Sequence, residues 1–184
     1  VATIPVEKES VPGFGIMQMN DANEITRFEE KPQDPSLQEE LKLPKDWYSK
    51  LDIHSDKELW LASMGIYVFN RQTILELLDN AHTDFGKHII PGAIKTHKLS
   101  SYVFQGYWED VGTIKAFFDA NLDLTSMLPK FNFFDMDSPV FTRPRFLPAS
   151  KVNGGVIENT LLSDGCIVHK ARLKECMLGI RSIV

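Results

Sequence analysis

Tyr107-Trp108-Glu109-Asp110-Val111-Gly112-Thr113 joins an aromatic pair to two carboxylates and a Val-Gly-Thr turn. A helical pattern runs from Thr113 to Leu124 directly behind it. Gly112 or Thr113 can cap that helix, whose first amide groups need acceptors. Asp110 therefore stands where a strand-like segment gives way to a helix. In α/β folds, side chains at such junctions converge on a ligand crevice. A carboxylate there, with no arginine beside it in the sequence, is a candidate ligand for Mg2+ on a phosphorylated substrate. Asp110 can equally help cap the helix, and the heptapeptide alone leaves both roles open.

Working back from this stretch, Ser101 to Phe104 reads as the strand that leads into it. Asp84 to Pro91 reads as a short capped helix stopped by proline. Thr73 to Asn80 carries Ile74, Leu75, Leu77 and Leu78 at helical spacing. Leu61 to Phe69 is a nearly continuous apolar run, as a buried strand should be, interrupted by Ser63 and Gly65. Phe14 to Met19 and Ile25 to Glu30 read as two strands of a hairpin around Asn20-Asp21-Ala22-Asn23. Between these strands and Leu61, residues 33–60 are polar, with Pro35, Pro44 and short helical stretches near 36–42 and 46–51. They read as an insertion or lid that Trp47, Tyr48 and Trp60 could pin to the sheet, with stacking on a ligand as the alternative. The order of hairpin, insertion, strand, helix, strand, helix is that of a mixed α/β unit over residues 1–124.

Working forward, residues 125–150 hold Pro129, Pro139, Pro144 and Pro148 among Phe131, Phe133, Phe134, Phe141 and Phe146. So many aromatics imply a packed connecting segment rather than a free linker. From 151 to 184, Ile157, Leu162, Ile167, Leu173, Leu178 and Ile183 recur every five or six residues, with Gly155, Gly165 and Gly179 between them. A six-residue aliphatic repeat is the signature of a parallel β-helix, of which roughly two coils are present against the three or more that repeat logic asks for. The chain opens on a strand-like Val1–Val6 and ends on an apolar Gly179–Val184, which leads us to expect a piece of a longer protein with both ends truncated.

Composition narrows the classes. The 184 residues are 43% hydrophobic and 24% charged, an ordinary globular balance. A net charge of -5 offers no basic field for nucleic acid. No apolar run is long enough to span a bilayer as a helix. Cys166 and Cys176 stand ten apart and the five histidines are scattered, so a structural zinc site is not indicated. Free thiols in a reducing cytoplasm are the simplest reading.

Five segments, in this order, resemble one family. They are Phe14-Gly15-Ile16-Met17, Phe28-Glu29-Glu30-Lys31-Pro32, Ala62-Ser63-Met64-Gly65-Ile66-Tyr67, Asp84-Phe85-Gly86 and the opening heptapeptide. The chain resembles the ADP-glucose pyrophosphorylase (glucose-1-phosphate adenylyltransferase) family over nearly its whole length, including Arg143-Pro144-Arg145-Phe146-Leu147-Pro148. The wording is closer to the cyanobacterial and plant type than to the enteric type. The resemblance implies part of a Rossmann-like nucleotidyltransferase domain with a mixed sheet, then the first coils of a left-handed parallel β-helix. It implies the reaction of ATP with glucose 1-phosphate to give ADP-glucose and pyrophosphate, in glycogen or starch synthesis. The family's glycine-rich nucleotide loop and a second metal-binding aspartate lie upstream of this stretch, so the chain alone is expected to be inactive.

The resemblance also assigns residues. Lys31 would meet the phosphate of glucose 1-phosphate as a point charge, and Glu30 would accept from sugar hydroxyls. Alternation puts Glu29 on the opposite face. Gly15, Ser63, Tyr67, Asp84, Phe85 and Trp108 resemble the remaining residues of the glucose 1-phosphate pocket, while core packing or helix capping is open to Tyr67, Asp84, Phe85 and Trp108 as well. Asp110 would hold Mg2+, with Lys31 and Asp110 as the catalytic pair. Arg143 and Arg145 resemble an anionic effector site, with a surface ion pair as the alternative. The family is typically tetrameric, as homo- or hetero-tetramers, and would sit in a bacterial cytoplasm or a plant plastid.

Three other readings stand beside this one. A UDP-, dTDP- or GDP-sugar pyrophosphorylase would share much of the same wall. A regulatory subunit with a degraded site would bind effectors and partner subunits, though the presence of both Lys31 and Asp110 argues against it. A hexapeptide-repeat acyltransferase would need several full coils and a catalytic histidine, for which His169 is the lone candidate.

Overall fold

Asn20 sets the first hairpin. Its Oδ1 accepts from the backbone N–H groups of Ala22 and Glu24, each at 3.0 Å, and Asn23 takes a left-handed φ of 59°. Asparagine tolerates both roles, so the chain reverses there. The computed structural model describes residues 1–184, and in it β2 (Gly15–Met19) and β3 (Ile25–Glu30) pair antiparallel across this turn. With β1 (Ala2–Val6), β4 (Trp60–Ser63) and β5 (Tyr102–Val103) they form one sheet in the order β3-β2-β4-β1-β5. The β1–β5 pair is parallel and the others antiparallel, so the sheet is mixed.

Alternation along the strands sends apolar residues to both faces. Ile16, Trp60 and Ala62 pack with Val11 and Leu41, while Met17, Phe28, Leu59 and Leu61 pack with Leu43, Tyr48 and Ile90. Burying each such aliphatic side chain contributes about 1.5–3 kcal/mol relative to leaving it in water. The polar stretch after β3 is tied to this core. It contains α1 (Pro35–Glu40), capped by Asp34, and α2 (Asp46–Lys50). Trp60 is fully buried and its Nε1–H donates to the Gln38 carbonyl at 2.6 Å. Gln38 in turn donates to the Pro32 carbonyl at 2.8 Å, and the Tyr48 hydroxyl to that of Lys57 at 3.0 Å.

Several expected boundaries move. The strand expected over 61–69 ends at Ser63. The Met64 N–H still donates to the Ala2 carbonyl and the Ala2 N–H to that of Ile66, but Gly65, at φ 71°, turns the chain out of the ladder between them. The strand expected over 101–104 shrinks to Tyr102–Val103. The helix expected over 73–80 is α3 (Arg71–Leu77), started earlier by the Asn70 side chain, which caps Gln72. Pro91 does not stop a helix. A π-helical turn (Phe85–Ile89) runs into α4 (Ile90–Ile94), with Pro91 in the first turn of α4. A helix start leaves N–H groups unpaired anyway, so the missing donor does no harm there. A 3-10 helix over Lys8–Gly13, centred on the fully buried Val11, has no counterpart in the expected order.

The chain divides into two compact units, Val1–Gly106 and Tyr107–Val184. The second begins with α5 (Ile114–Asp123), capped by Thr113, whose Oγ1 accepts from the Ala116 N–H at 3.1 Å. Residues 125–150 form neither helix nor strand. Phe131 and Phe133 meet edge to face at 4.9 Å, and all five phenylalanines of this segment are exposed, Phe141 and Phe146 almost fully.

β6 (Lys151–Leu162) and β7 (Ile167–Leu178) then pair in parallel, each residue facing the one sixteen positions on. Their corners repeat at the same interval. Gly154 and Lys170, Asn159 and Glu175, and Gly165 and Arg181 all take left-handed φ values. Val152 stacks under Val168, Ile157 under Leu173 and Leu162 under Leu178. The phase differs from the expected one at Ile167. That side chain is 41% exposed and Val168 is 0% exposed, because the corner at Gly165 lengthens the spacing there from five to six. Both cysteines are free thiols, and no helix is long and apolar enough to cross a membrane.

Candidate functional site

At the end of β3 alternation separates two neighbouring carboxylates. Glu29 is engaged by Arg27, Nε to Oε1 at 3.0 Å, and Arg27 also reaches Glu40 at 3.2 Å. Glu30 faces elsewhere. It stands opposite Gly15 in the β2–β3 register, with its side chain 21% exposed. A Cβ built on Gly15 would come within 2.8 Å of Glu30 Oε2, so the carboxylate lies over the bare backbone of β2.

Lys31 follows in a left-handed conformation, φ 49°, which costs an L-residue roughly 1–2 kcal/mol. The turn is held by the Lys31 N–H donating to the Phe14 carbonyl at 3.0 Å, and by Gln33 Nε2 donating to the carbonyls of Lys31 and Pro12. The ammonium group lies 4.0 Å from Glu30 Oε1 and the side chain is 58% exposed. The pair presents a cation and an anion side by side at a strand end. An exposed pair of this kind adds little to stability, and its geometry suits a ligand that carries both a phosphate and hydroxyls.

A polar and aromatic wall adjoins the pair. The Gly65 N–H donates to Ser63 Oγ at 3.2 Å, and Ser63 Oγ lies 3.4 Å from the Tyr67 hydroxyl. The Tyr67 ring stacks on Phe85 at 5.6 Å and 18°, and Phe69 closes a trio at 6.0 and 6.1 Å. Phe85 opens the π-helical turn, in which the Asp84 carbonyl accepts from both His88 and Ile89. The Asp84 side chain caps the same turn, accepting from the Lys87 N–H at 2.8 Å. That hydrogen bond holds the Asp84 carboxyl below its ordinary pKa. Asp84 thus acts on the wall through the turn it caps. A chain of contacts links Gly15, Glu30, Lys31, Gly86, Phe85, Tyr67 and Ser63. Phe69 and Gly86 carried no role in the sequence reading. The Asp84-Phe85-Gly86 tripeptide was the available signal for Gly86, and the i, i+2 spacing from Tyr67 was the signal for Phe69.

Trp108 and Asp110 belong to the second unit. Trp108 lines an apolar hollow of 410 Å3 with Tyr107, Phe117, Phe131 and Phe133. Asp110 is exposed and its Oδ1 accepts from the Gly112 N–H at 3.2 Å. It therefore braces the turn before α5, and the cap itself is Thr113. Magnesium is commonly held by one or two carboxylates together with phosphate oxygens. Asp110, exposed and with Oδ2 unengaged, fits as one such hard oxygen ligand. No group of three or more His, Cys, Asp or Glu side chains is gathered to cage an ion. Arg143 and Arg145 are both exposed, and neither forms a salt bridge, so the surface ion pair considered for them does not form within the chain.

The sequence model of the nucleotidyl transferase family matches residues 1–127, and that of the GLGC left-handed parallel beta-helix domain matches residues 145–184.

Proposed function

Since the chain belongs to the nucleotidyl transferase family, we propose that it carries the sugar-phosphate side of a glucose-1-phosphate adenylyltransferase. The reaction joins glucose 1-phosphate to ATP, giving ADP-glucose and pyrophosphate for glycogen or starch synthesis. A phosphate oxygen of the sugar phosphate bonds to the α-phosphorus as the bond to the leaving pyrophosphate breaks, and pyrophosphate departs with the electron pair. Such transfer is mostly positioning and charge neutralisation.

The observation that carries this reading is the Glu30–Lys31 pair beside the Ser63–Tyr67–Phe85 wall. Lys31 meets the phosphate, Glu30 accepts from the sugar hydroxyls, and the Tyr67–Phe85 stack gives the ring an apolar surface to lie on. The match to a β-helix of the GLGC type favours the ADP-glucose branch over UDP-, dTDP- or GDP-sugar relatives. Asp110 is the residue that would hold Mg2+, and the ion would offset phosphate charge. Arg143 and Arg145 suit an anionic effector, since both guanidinium groups are available for bidentate contacts. A tetramer is the proposed assembly, in a bacterial cytoplasm or a plastid.

Titration of the 15N-labelled chain with glucose 1-phosphate tests the site without requiring turnover. The expected result is shifted resonances at Glu30, Lys31, Ser63 and Tyr67. Lys31→Ala should weaken binding roughly ten- to a hundredfold, the range for a lost hydrogen bond to a charged group. Equal responses to glucose and to glucose 1-phosphate would sink the assignment of Lys31 to the phosphate.

A further inference from the structure

Glu30 is flanked by two glycines from different elements. Gly15 lies across the ladder from it, and Gly86 comes from the π-helical turn. A Cβ built on Gly86 would stand 2.8 Å from Glu30 Cδ and 3.4 Å from Oε1, and would overlap Oε2. The carboxylate fills the space that a side chain at Gly86 would take. The backbone at Gly86 gives no reason for glycine, because its φ is not left-handed. The turn is also well fixed, by the Asp84 side chain on Lys87 and by the Asp84 carbonyl on His88 and Ile89. π-helical turns are frequent at functional sites.

We propose that Gly86 is a positioning residue for Glu30: its missing side chain sets where the carboxylate stands, and so which sugar hydroxyls it can reach. This rests on the sugar-phosphate reading above. Gly86 is the informative position of the two. An added methyl there meets only the far end of a flexible side chain, so the carboxylate moves and the fold stays. At Gly15 it would also strike the ring of Phe28, which is buried in the core.

The test is Gly86→Ala in the full chain, titrated separately with glucose 1-phosphate and with inorganic phosphate. The variant should keep its thermal midpoint to within a few degrees. Affinity for glucose 1-phosphate should fall roughly tenfold or more, the scale of hydrogen bonds to a charged group. Inorganic phosphate, which needs only Lys31, should bind as before. Adding Glu30→Asp withdraws the carboxylate by one methylene and should recover part of the loss. No loss for either ligand, equal losses for both, or no recovery in the double variant would overturn the proposal. A ligand-free readout separates its failure from that of the functional reading. If the unsubstituted chain binds no glucose 1-phosphate, the functional reading fails, while the 13Cδ resonance of Glu30 still reports placement. Movement of that resonance in Gly86→Ala supports the role of Gly86, and an unmoved resonance overturns it.

Discussion

The first unit encloses its core between the faces of a sheet and what covers them, and the second stacks coil upon coil. Fifteen of the eighteen buried hydrophobic residues lie between Val11 and Ala93, and only Cys166, Val168 and Leu173 lie in the β-helix. In α5 the apolar Ile114, Phe117 and Phe118 are exposed. Large side chains therefore specify the first unit, and loss of one should be felt most. The coil is specified more by backbone: six left-handed corners, four of them at residues with a Cβ, at Asn159, Lys170, Glu175 and Arg181.

That contrast predicts an order of effects. Trp60→Ala should be the most damaging, at about 3–5 kcal/mol for an emptied aromatic site in a core. Urea unfolding followed by circular dichroism measures it, and a cost below about 1 kcal/mol, the size of an average substitution, would mean the core is not centred where the burial places it.

Gly155→Ala should come next. Gly155 has φ 117°, and an added Cβ would run into the backbone of Ala171 in the next rung. Left-handed strain and overlap together should cost about 1–3 kcal/mol. Gly154→Ala makes the control, since it shares a positive φ but meets nothing within 4 Å. Hydrogen exchange over β6 and β7 should rise for both and more for Gly155. Equal effects would assign the whole cost to φ and none to the close approach of the rungs.

The smallest effect should be a pH dependence in the π-helical turn. The Lys87 N–H holds the Asp84 carboxyl below its ordinary 3.8, so the cap stabilises the turn at pH above that value. It is lost as the pH falls through the lowered folded pKa. Amide exchange at Lys87 should therefore show a protection that weakens in acid, and Asp84→Asn should flatten that dependence. A profile identical in the two proteins would remove the carboxylate from the account of the turn.

Much of this was legible in the sequence where one local signal had no rival. Asn20 and Asn23 mark the hairpin, Trp60 reads as an anchor, and Thr113 is one of two named caps. The aliphatic spacing after residue 150 announces a β-helix. Legibility failed where a conformation or a distant partner decided the outcome. The strand from Leu61 stops at Ser63 because Gly65 takes a left-handed φ of 71°, and the apolar run shows the glycine but not the conformation it takes. Pro91 reads as a stop by propensity, yet it stands in the first turn of α4, where its missing N–H costs nothing. The phase at Ile167 depends on which residue takes the corner, and six of the available residues, not all glycine, do so. In the site, alternation put Glu29 and Glu30 on opposite faces, and the family resemblance, not the pattern, chose Glu30. The Asp84-Phe85-Gly86 tripeptide drew notice to Gly86, but its contact with Glu30 could not be read from it, because folding brings the carboxylate there.

The sixteen-residue spacing of the corners has a consequence for how the second unit can vary. Each coil advances the stack by one inter-strand spacing, about 4.8 Å. A residue deleted between two corners would put Val168 out of line with Val152 and carry the fault into whatever stacks beyond. Removing or adding a whole coil would leave the stacking unchanged. Length in this half of the molecule is therefore quantised. Chains of this design should differ by whole coils, or by loops that leave the stack at a corner and return to the same place.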